Sequence, residues 1–254
     1  GEEGRDKEAD GADAEEDDGT LQFRKIVASG DVRIDVTDAE GGSDNVAIRA
    51  DQLSAQGDQV ELFGTGDQPA QMIRDDATLE SDYFLIAQTI DAPGGITQTL
   101  IAEGPGKARV DGADVPGKAE VDPTGADQER PEWLDVTWSD RMIYTHDAGN
   151  HLIKAFGKVK CDRQKGLQTS VLEAEQITLD LVELRQGDDV DPRLVELPNT
   201  EGRGRLALRS VTANENVHFE TADWVDPDDQ LQPPLTRLTI EGPKMTFDGA
   251  GQNV

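Results

Sequence analysis

The chain has 254 residues but only one cysteine, few aromatic residues and no run of apolar residues long enough to cross a bilayer. Cys161 alone cannot form an intramolecular disulfide, which excludes a disulfide-stapled scaffold and leaves the redox compartment open. A membrane-spanning helix needs about 20 consecutive apolar residues, and no such run and no apolar signal-peptide core is present. The chain begins with Gly1 rather than Met, so we expect a fragment or a processed product.

Basic residues are also scarce. The sequence has 24 Lys and Arg against 53 Asp and Glu, which gives a formal charge of −29. Nucleic-acid binding needs a basic stripe that releases counterions from the phosphates, so the composition disfavours it. An anionic membrane surface would repel the chain in the same way. We interpret the acidity as a source of solubility or as adaptation to salt rather than as a specific cation site.

Motifs that carry chemistry are missing as well. The sequence has no nucleophile elbow, no Walker loop and no His-Glu-x-x-His, so we predict no catalytic residues and no cofactor. His146 and His151 lie on either side of a turn beside Asp147, where exposed loop histidines are more common than metal ligands, and we predict no metal while whether they bind one stays open. Cys161 ends an alternating strand and fits a small buried residue better than a nucleophile.

What the chain does contain is a pair of recurring phrases. The first, which we call the long phrase, is Ala28-Ser29-Gly30-Asp31-Val32, and it returns at 155–159 with looser copies at 102–104, 213–217 and 240–242. The second, the short phrase, is Ala50-Asp51-Gln52-Leu53, and it returns at 174–177. Alternating apolar and polar residues surround both. A repeated strand-turn-strand unit is typical of a stacked β structure.

Strands at roughly ten-residue spacing, with Gly or Asn turns between them, predict an all-β fold. Residues 1–20 form an acidic tail that cannot bury enough apolar surface to order, so we predict it to be disordered. A first β unit is expected over 21–110, a linker or long loop over 111–132, and a second β unit with a partial third repeat over 133–254. Residues 170–176 have helical propensity, but 177–181 alternate strictly, so the whole segment is predicted as strand.

The two phrases, in this order, resemble the OstA-like family of lipopolysaccharide-transport proteins, the LptA- and LptC-type β-jellyrolls. Gly30, Leu53 and Gly64 follow the family's order of a Gly-x-Val step, an Ala-Asp-x-Leu step and a Gly turn, and Gly157 and Ile177 follow it again. The resemblance is best over 21–110 and 150–184. It weakens over 205–254, where Glu215 stands at the glycine position, and the loops at 111–132 and 185–204 favour a larger relative with tandem units.

The resemblance implies a β-jellyroll, or β-taco, of stacked antiparallel strands around an apolar groove that holds lipid acyl chains. It also implies a non-enzymatic role in lipopolysaccharide-like lipid transport and outer-membrane biogenesis in the periplasm, with other OstA-like domains joined by edge-strand pairing. Burial of acyl chains in such a groove is favourable by about 0.8 kcal/mol per CH₂. The candidate groove-lining residues are Val32, Ile34, Ile48, Leu62, Leu100, Phe156, Val159, Leu179, Phe219, Ile240 and Phe247.

Three alternatives stay open at the level of sequence. The candidate groove residues fit an ordinary β core equally well, because a core and a lipid groove share one sequence pattern. A structural β-repeat protein that assembles end to end without lipid has the same repeats. A carbohydrate-active enzyme on a β fold is indicated only by the acidic surface and the tryptophans Trp133, Trp138 and Trp224, which fit caps on the ends of the sheet better than a sugar platform.

Overall fold

The computed structural model describes residues 25–36, 46–65, 67–74, 77–91, 95–111, 133–184, 195–196, 205–224 and 233–248. Within these ranges the regular structure is entirely β, as the sequence predicts. The predicted tail at 1–20 and residues 112–132, 185–194 and 197–204 of the predicted loops lie outside the described residues. The strands are β1 Ile26–Val36, β2 Val46–Gln56, β3 Gln59–Phe63, β4 Ala70–Arg74, β5 Ala77–Asp91, β6 Gly95–Asp111, β7 Trp133–Trp138, β8 Arg141–Asp147, β9 Asn150–Lys165, β10 Gln168–Leu184, β11 Val195–Glu196, β12 Arg205–Asp223 and β13 Thr236–Asp248.

All thirteen strands belong to one antiparallel sheet. β3 and β4 together span the length of β2 and β5, and β7 and β8 together span the length of β6 and β9. The sheet therefore has ten strand positions from β1 to β13, and β11 shares the last edge with β13 beside β12. β6 pairs with both β7 and β8, so the sheet is continuous between the two predicted units.

A line of irregularities crosses the middle of the sheet, and we call it the bulge line. The register shifts there between Ser29 and Val32 in β1, between Ala174 and Gln176 in β10, and between Asn214 and Val217 in β12. The break between β3 and β4 and the break between β7 and β8 lie on the same line. At these breaks Gly64 N–H donates to Asp82 O at 2.8 Å, and Ser139 N–H donates to Gly157 O at 2.7 Å. A bulge adds one residue to one strand of a pair and bends it, so an aligned series bends the sheet along one line.

The recurring phrases form these bulges: the long phrase lies on the strand that has the extra residue, and the short phrase lies opposite it on the neighbouring strand. In the long phrase of β1, Ala28 and Val32 lie four residues apart, and they face Leu53 and Ala50 of the short phrase in β2, which lie three apart. The extra residue is accommodated by left-handed backbone, with φ of 79° at Gly30 and 46° at Asp31. Glycine adopts this conformation without the clash between Cβ and the carbonyl oxygen, which explains its place in the phrase.

Two details differ from the sequence-based expectation. Apolar alternation over 206–211 and again over 217–221 predicts two separate strands, but the structure has one 19-residue strand, β12. Glu215 and Asn216 interrupt the apolar alternation but keep the left-handed bulge, with φ of 63° and 55°, so backbone pairing continues through them. The segment 240–242, taken as a loose long phrase, instead begins a short phrase at Gly242, which pairs with Val217 beside the bulge line.

Candidate functional site: the apolar face and the sheet edges

One face of the sheet is apolar and buried, and its side chains form rows that cross the strands. Residues directly opposite each other in an antiparallel pair point to the same face, so the register of each strand pair defines the rows. Row A lies next to the bulge line and contains Ala28, Leu53, Leu62, Phe84, Ala102, Met142, Ala155, Ile177, Ala213 and Met245. Row B lies on the other side of the line and contains Val32, Ala50, Ala70, Ser81, Gly106, Trp138, Val159, Ala174, Val217 and Gly242.

Two further rows lie outside these. Row C, beyond row A, contains Ile26, Ala55, Val60, Ile86, Leu100, Tyr144, Ile153, Leu179, Val211 and Phe247. Row D, beyond row B, contains Ile34, Ile48, Met72, Leu79, Ala108, Val136, Cys161, Leu172, Phe219 and Ile240. Buried residues of all four rows belong to a single hydrophobic cluster, which places them on one face.

Burial decreases with distance from the bulge line. In rows A and B the central residues are almost inaccessible, as at Leu62 and Phe84 with 0% exposure and Val159 with 1%. In rows C and D most side chains, such as Ile86 and Leu79, are half-buried and pack against that cluster. The outer rows are therefore where apolar side chains remain accessible to a ligand.

The structure brings together ten of the eleven predicted groove residues. Val32, Leu62 and Val159 lie in rows A and B, and the others lie in rows C and D. Phe156 lies apart from them: Ala155 points to the buried face, so Phe156 points to the opposite face, where the Arg141 guanidinium lies 4.9 Å from its ring centroid. The bulge at Gly157 and Lys158 then returns Val159 to the buried face.

Row B contains a buried polar residue, Ser81, that the sequence does not single out, and Trp138, which the sequence predicts as a cap on the end of the sheet but which lies beside the bulge line. Ser81 is 1% exposed, and its hydroxyl donates to Glu103 O at 2.9 Å, so the buried oxygen is satisfied. Trp138 is 3% exposed and lies over Gly106, where an added Cβ would come within 2.2 Å of the indole ring. Gly106 therefore makes room for the indole. Neither residue lies within a copy of either recurring phrase, so the phrases give no signal for their burial.

The remaining tryptophans lie on the opposite face. The Trp133 indole N–H donates to Gln164 Oε1 at 3.1 Å, and the Arg109 guanidinium lies 5.4 Å from its ring. The Trp224 indole N–H donates to Thr169 Oγ1 at 2.9 Å. These satisfied contacts fit structural roles at the ends of strands.

His146 and His151 lie next to each other beyond row C, at the end of the β8–β9 hairpin. Their rings stack with centroids 4.4 Å apart, and the Tyr144 hydroxyl lies 2.7 Å from His151 Nδ1. Stacked rings present their faces, not their nitrogen lone pairs, to each other. Among the residues that the structure describes, no group of three or more His, Cys, Asp and Glu side chains is arranged to hold a metal ion.

Cys161 belongs to row D, and burial, together with the charge of Asp162, raises the pKa of its thiol to about 12. The thiol therefore stays protonated and unreactive near neutral pH.

No helix within the described residues is long and apolar enough to cross a membrane.

The two edges of the sheet are the other candidate functional surfaces. Within the described ranges β1 pairs only with β2, and β13 pairs only with β12. The apolar rows continue onto both edges, where Ile26 and Phe247 are each 44% exposed and Ile240 is 37% exposed. A long edge strand with unpaired N–H and C=O groups and exposed apolar side chains is a template for pairing with another strand.

Comparison of the chain with protein-family models, curated proteins and solved structures gives no match in any of the three.

Proposed function

We propose that this chain is a non-enzymatic lipid-transport bridge: a β-jellyroll of the OstA-like type that holds acyl chains in an apolar groove and joins partner domains through its sheet edges. The observation that carries the proposal is the set of apolar rows that cross the whole sheet from one edge strand to the other. A surface of this kind offers a lipid chain a continuous path, since each strand position contributes one side chain to each row.

The bulge line supports the jellyroll, or β-taco, form. A single sheet can bury one of its own faces only when one half covers the other, and both rows that flank the bulge line are buried. Small side chains such as Ala102, Ala155 and Ala213 in row A allow the two halves of the sheet to approach each other closely along the bulge line. Rows C and D then line the opening between the halves, which is where the proposed groove lies.

The ligand class and the location rest on the resemblance of the two phrases to lipopolysaccharide-transport proteins. The proposed cargo is a lipopolysaccharide-like envelope lipid, the proposed location is the periplasm, and the proposed partners are other β-jellyroll domains. The half-buried side chains of rows C and D support an apolar cargo, because they lose water when an acyl chain covers them.

Site-specific photocrosslinking tests the groove. A photoreactive residue at Leu179 in row C is expected to crosslink to lipid in envelope preparations, whereas the same residue at Thr178, one position along on the opposite face, is expected not to. Mass spectrometry of the purified protein is expected to detect copurified lipid. Equal crosslinking at both positions, or none at Leu179 with no copurified lipid, contradicts the proposal.

A structural assembly protein without lipid is the second candidate. The observation that favours it is the tight burial of rows A and B, with exposures of 0–8% at their buried members, which leaves no room for a ligand next to the bulge line. Concentration-dependent oligomers with no bound lipid favour this function over the first.

A further inference from the structure

The face of the sheet opposite the buried rows carries one apolar patch. On the row B side of the bulge line this face is charged, as at Lys107, Asp135 and Lys160. On the row A side, six apolar or aromatic side chains adjoin one another. Each is the sequence neighbour of a row A residue and therefore points to the other face. We call them the outer patch: Phe63, Tyr83, Leu85, Ile101, Ile143 and Phe156.

The outer patch is contiguous and separate from the buried face. Ile101 lies opposite Leu85 on one side and opposite Ile143 on the other. Phe63 lies opposite Tyr83, with ring centroids 5.0 Å apart. All six side chains are half-buried. Among the described residues that form the buried hydrophobic cluster or pack against it, none belongs to the outer patch.

No second layer covers the outer patch within the part of the chain that the structure describes. The extensive contacts between strands there all join neighbours in the sheet. An apolar sheet face is normally buried against another element, and a contiguous apolar patch with a polar rim marks an interaction surface. The outer patch therefore fits a surface for a partner.

We propose that the outer patch docks an amphipathic α-helix of a partner protein, with apolar side chains on the docking face of the helix and lysine or arginine on its flanks. Docking adds a helical layer to the sheet, which is a common way in which an apolar sheet face is covered. The inference goes beyond the lipid function, because the outer patch lies on the face opposite the proposed groove and needs no lipid.

The dimensions of the outer patch suit a helix. It extends over five strand positions, from β3 through β5, β6 and β8 to β9. Neighbouring strands lie about 4.8 Å apart and alternate residues of a strand about 7 Å apart, so the patch is about 19 Å long and its two rows of side chains are about 7 Å apart. A helix of about 13 residues has this length and, at about 10 Å wide, covers both rows.

The charge around the outer patch favours a basic partner over a second copy of the chain. Glu61 accepts a hydrogen bond from the Tyr83 hydroxyl at 3.0 Å, and the exposed Glu103 lies opposite Tyr83 on the neighbouring strand. Arg141, opposite Glu103, has its guanidinium 4.9 Å from the Phe156 ring centroid. The formal charge of −29 repels a second copy and attracts a basic helix, whose lysines can reach Glu61 and Glu103.

A model helix tests the outer patch. The probe is a fluorescent peptide of about 18 residues with leucine on one helical face and lysine on the other, and fluorescence anisotropy measures its binding to the full chain. A peptide of the same composition in scrambled order is expected to bind roughly tenfold more weakly. Ile101→Lys is expected to raise the dissociation constant roughly tenfold. Val171→Lys is the matched control, since Val171 is also a half-buried apolar residue of this face but lies outside the patch, and it is expected to bind like the wild type.

Two further readouts decide the question even if Ile101→Lys fails to fold. Glu103→Lys changes an exposed side chain and is expected to weaken binding roughly threefold, whereas Glu173→Lys, the same charge change on this face outside the patch, is expected to have no such effect. A photoreactive residue at Ile101 is expected to crosslink to the peptide, and one at Leu100, on the groove face, is expected not to.

Three outcomes overturn the inference. Equal binding of the scrambled peptide shows that charge attraction alone holds the helix. Crosslinking at Leu100 rather than at Ile101 places the helix in the groove. Absence of binding removes the helix as an occupant of the outer patch. Each outcome leaves the lipid function standing, because copurified lipid is measured separately.

Discussion

The two best copies of the long phrase offer a matched pair of glycines, and alanine substitution at each separates backbone strain from packing. Gly30 and Gly157 have nearly the same left-handed backbone, with φ of 79° and 74°. A Cβ added at Gly30 meets no atom within 4 Å, whereas a Cβ at Gly157 comes within 2.8 Å of both Asp140 Cβ and Ser139 Oγ.

The backbone cost alone is about 1–2 kcal/mol for an L-residue in the left-handed region. We expect Gly30→Ala to lower the free energy of unfolding by about that amount. Gly157→Ala carries the same backbone cost and in addition an overpacking cost of about 1–3 kcal/mol, because Ser139 and Asp140 must shift. The difference between the two variants is therefore expected to be about 1–3 kcal/mol.

Chemical denaturation monitored by tryptophan fluorescence measures the free energy of unfolding of both variants and of the wild type. The free energies can be compared if the three proteins have equal m-values. Gly157→Asn is a useful third variant, because Asn tolerates the left-handed region but retains the clash. Equal losses for Gly30→Ala and Gly157→Ala would refute the role of packing. Losses below about 0.5 kcal/mol at both sites would refute the left-handed bulge itself.

Three further predictions concern Glu215, Tyr83 and Cys161. Glu215 has a left-handed backbone with φ of 63°, which is strained for glutamate but not for glycine. Glu215→Gly is therefore expected to raise the free energy of unfolding by about 0.5–1 kcal/mol in the same assay. A lower free energy of unfolding would contradict the bulge at β12. Burial and, to a smaller extent, the hydrogen bond to Glu61 raise the pKa of Tyr83 to about 12. The unfolded chain loses this proton near pH 10, so the free energy of unfolding is expected to fall as the pH rises from 10 towards 12. Tyr83→Phe is expected to remove that part of the dependence, and an unchanged pH profile would count against it. The Cys161 thiol is expected to react with a thiol reagent much more slowly at pH 8 in the native protein than after unfolding, because its raised pKa of about 12 keeps it protonated, and equal rates would contradict the raised pKa.

The fold class and most of the candidate site could be predicted from sequence because both depend on local periodicity. Alternation identifies β strands, and ten of the eleven proposed groove residues lie on one face in the structure. Phe156 does not, because it lies one position from Ala155 and three from Val159, which both point to the buried face, so alternation itself places Phe156 on the opposite face. The burial of Ser81 could not be predicted, since it depends on the hydrogen bond to Glu103 O. The place of Trp138 could not be predicted either, since its indole packs over Gly106 of another strand rather than capping the end of the sheet.

Local sequence is enough to predict that the chain forms β strands and that a five-residue and a four-residue phrase recur along them. Both are local properties, because side-chain period and glycine's access to positive φ do not depend on distant residues. Long-range pairing sets the long phrase opposite the short one and aligns the phrases across ten strand positions into one bulge line. It also decided that the buried rows end at two open edges, because register and edges exist only once distant strands have paired.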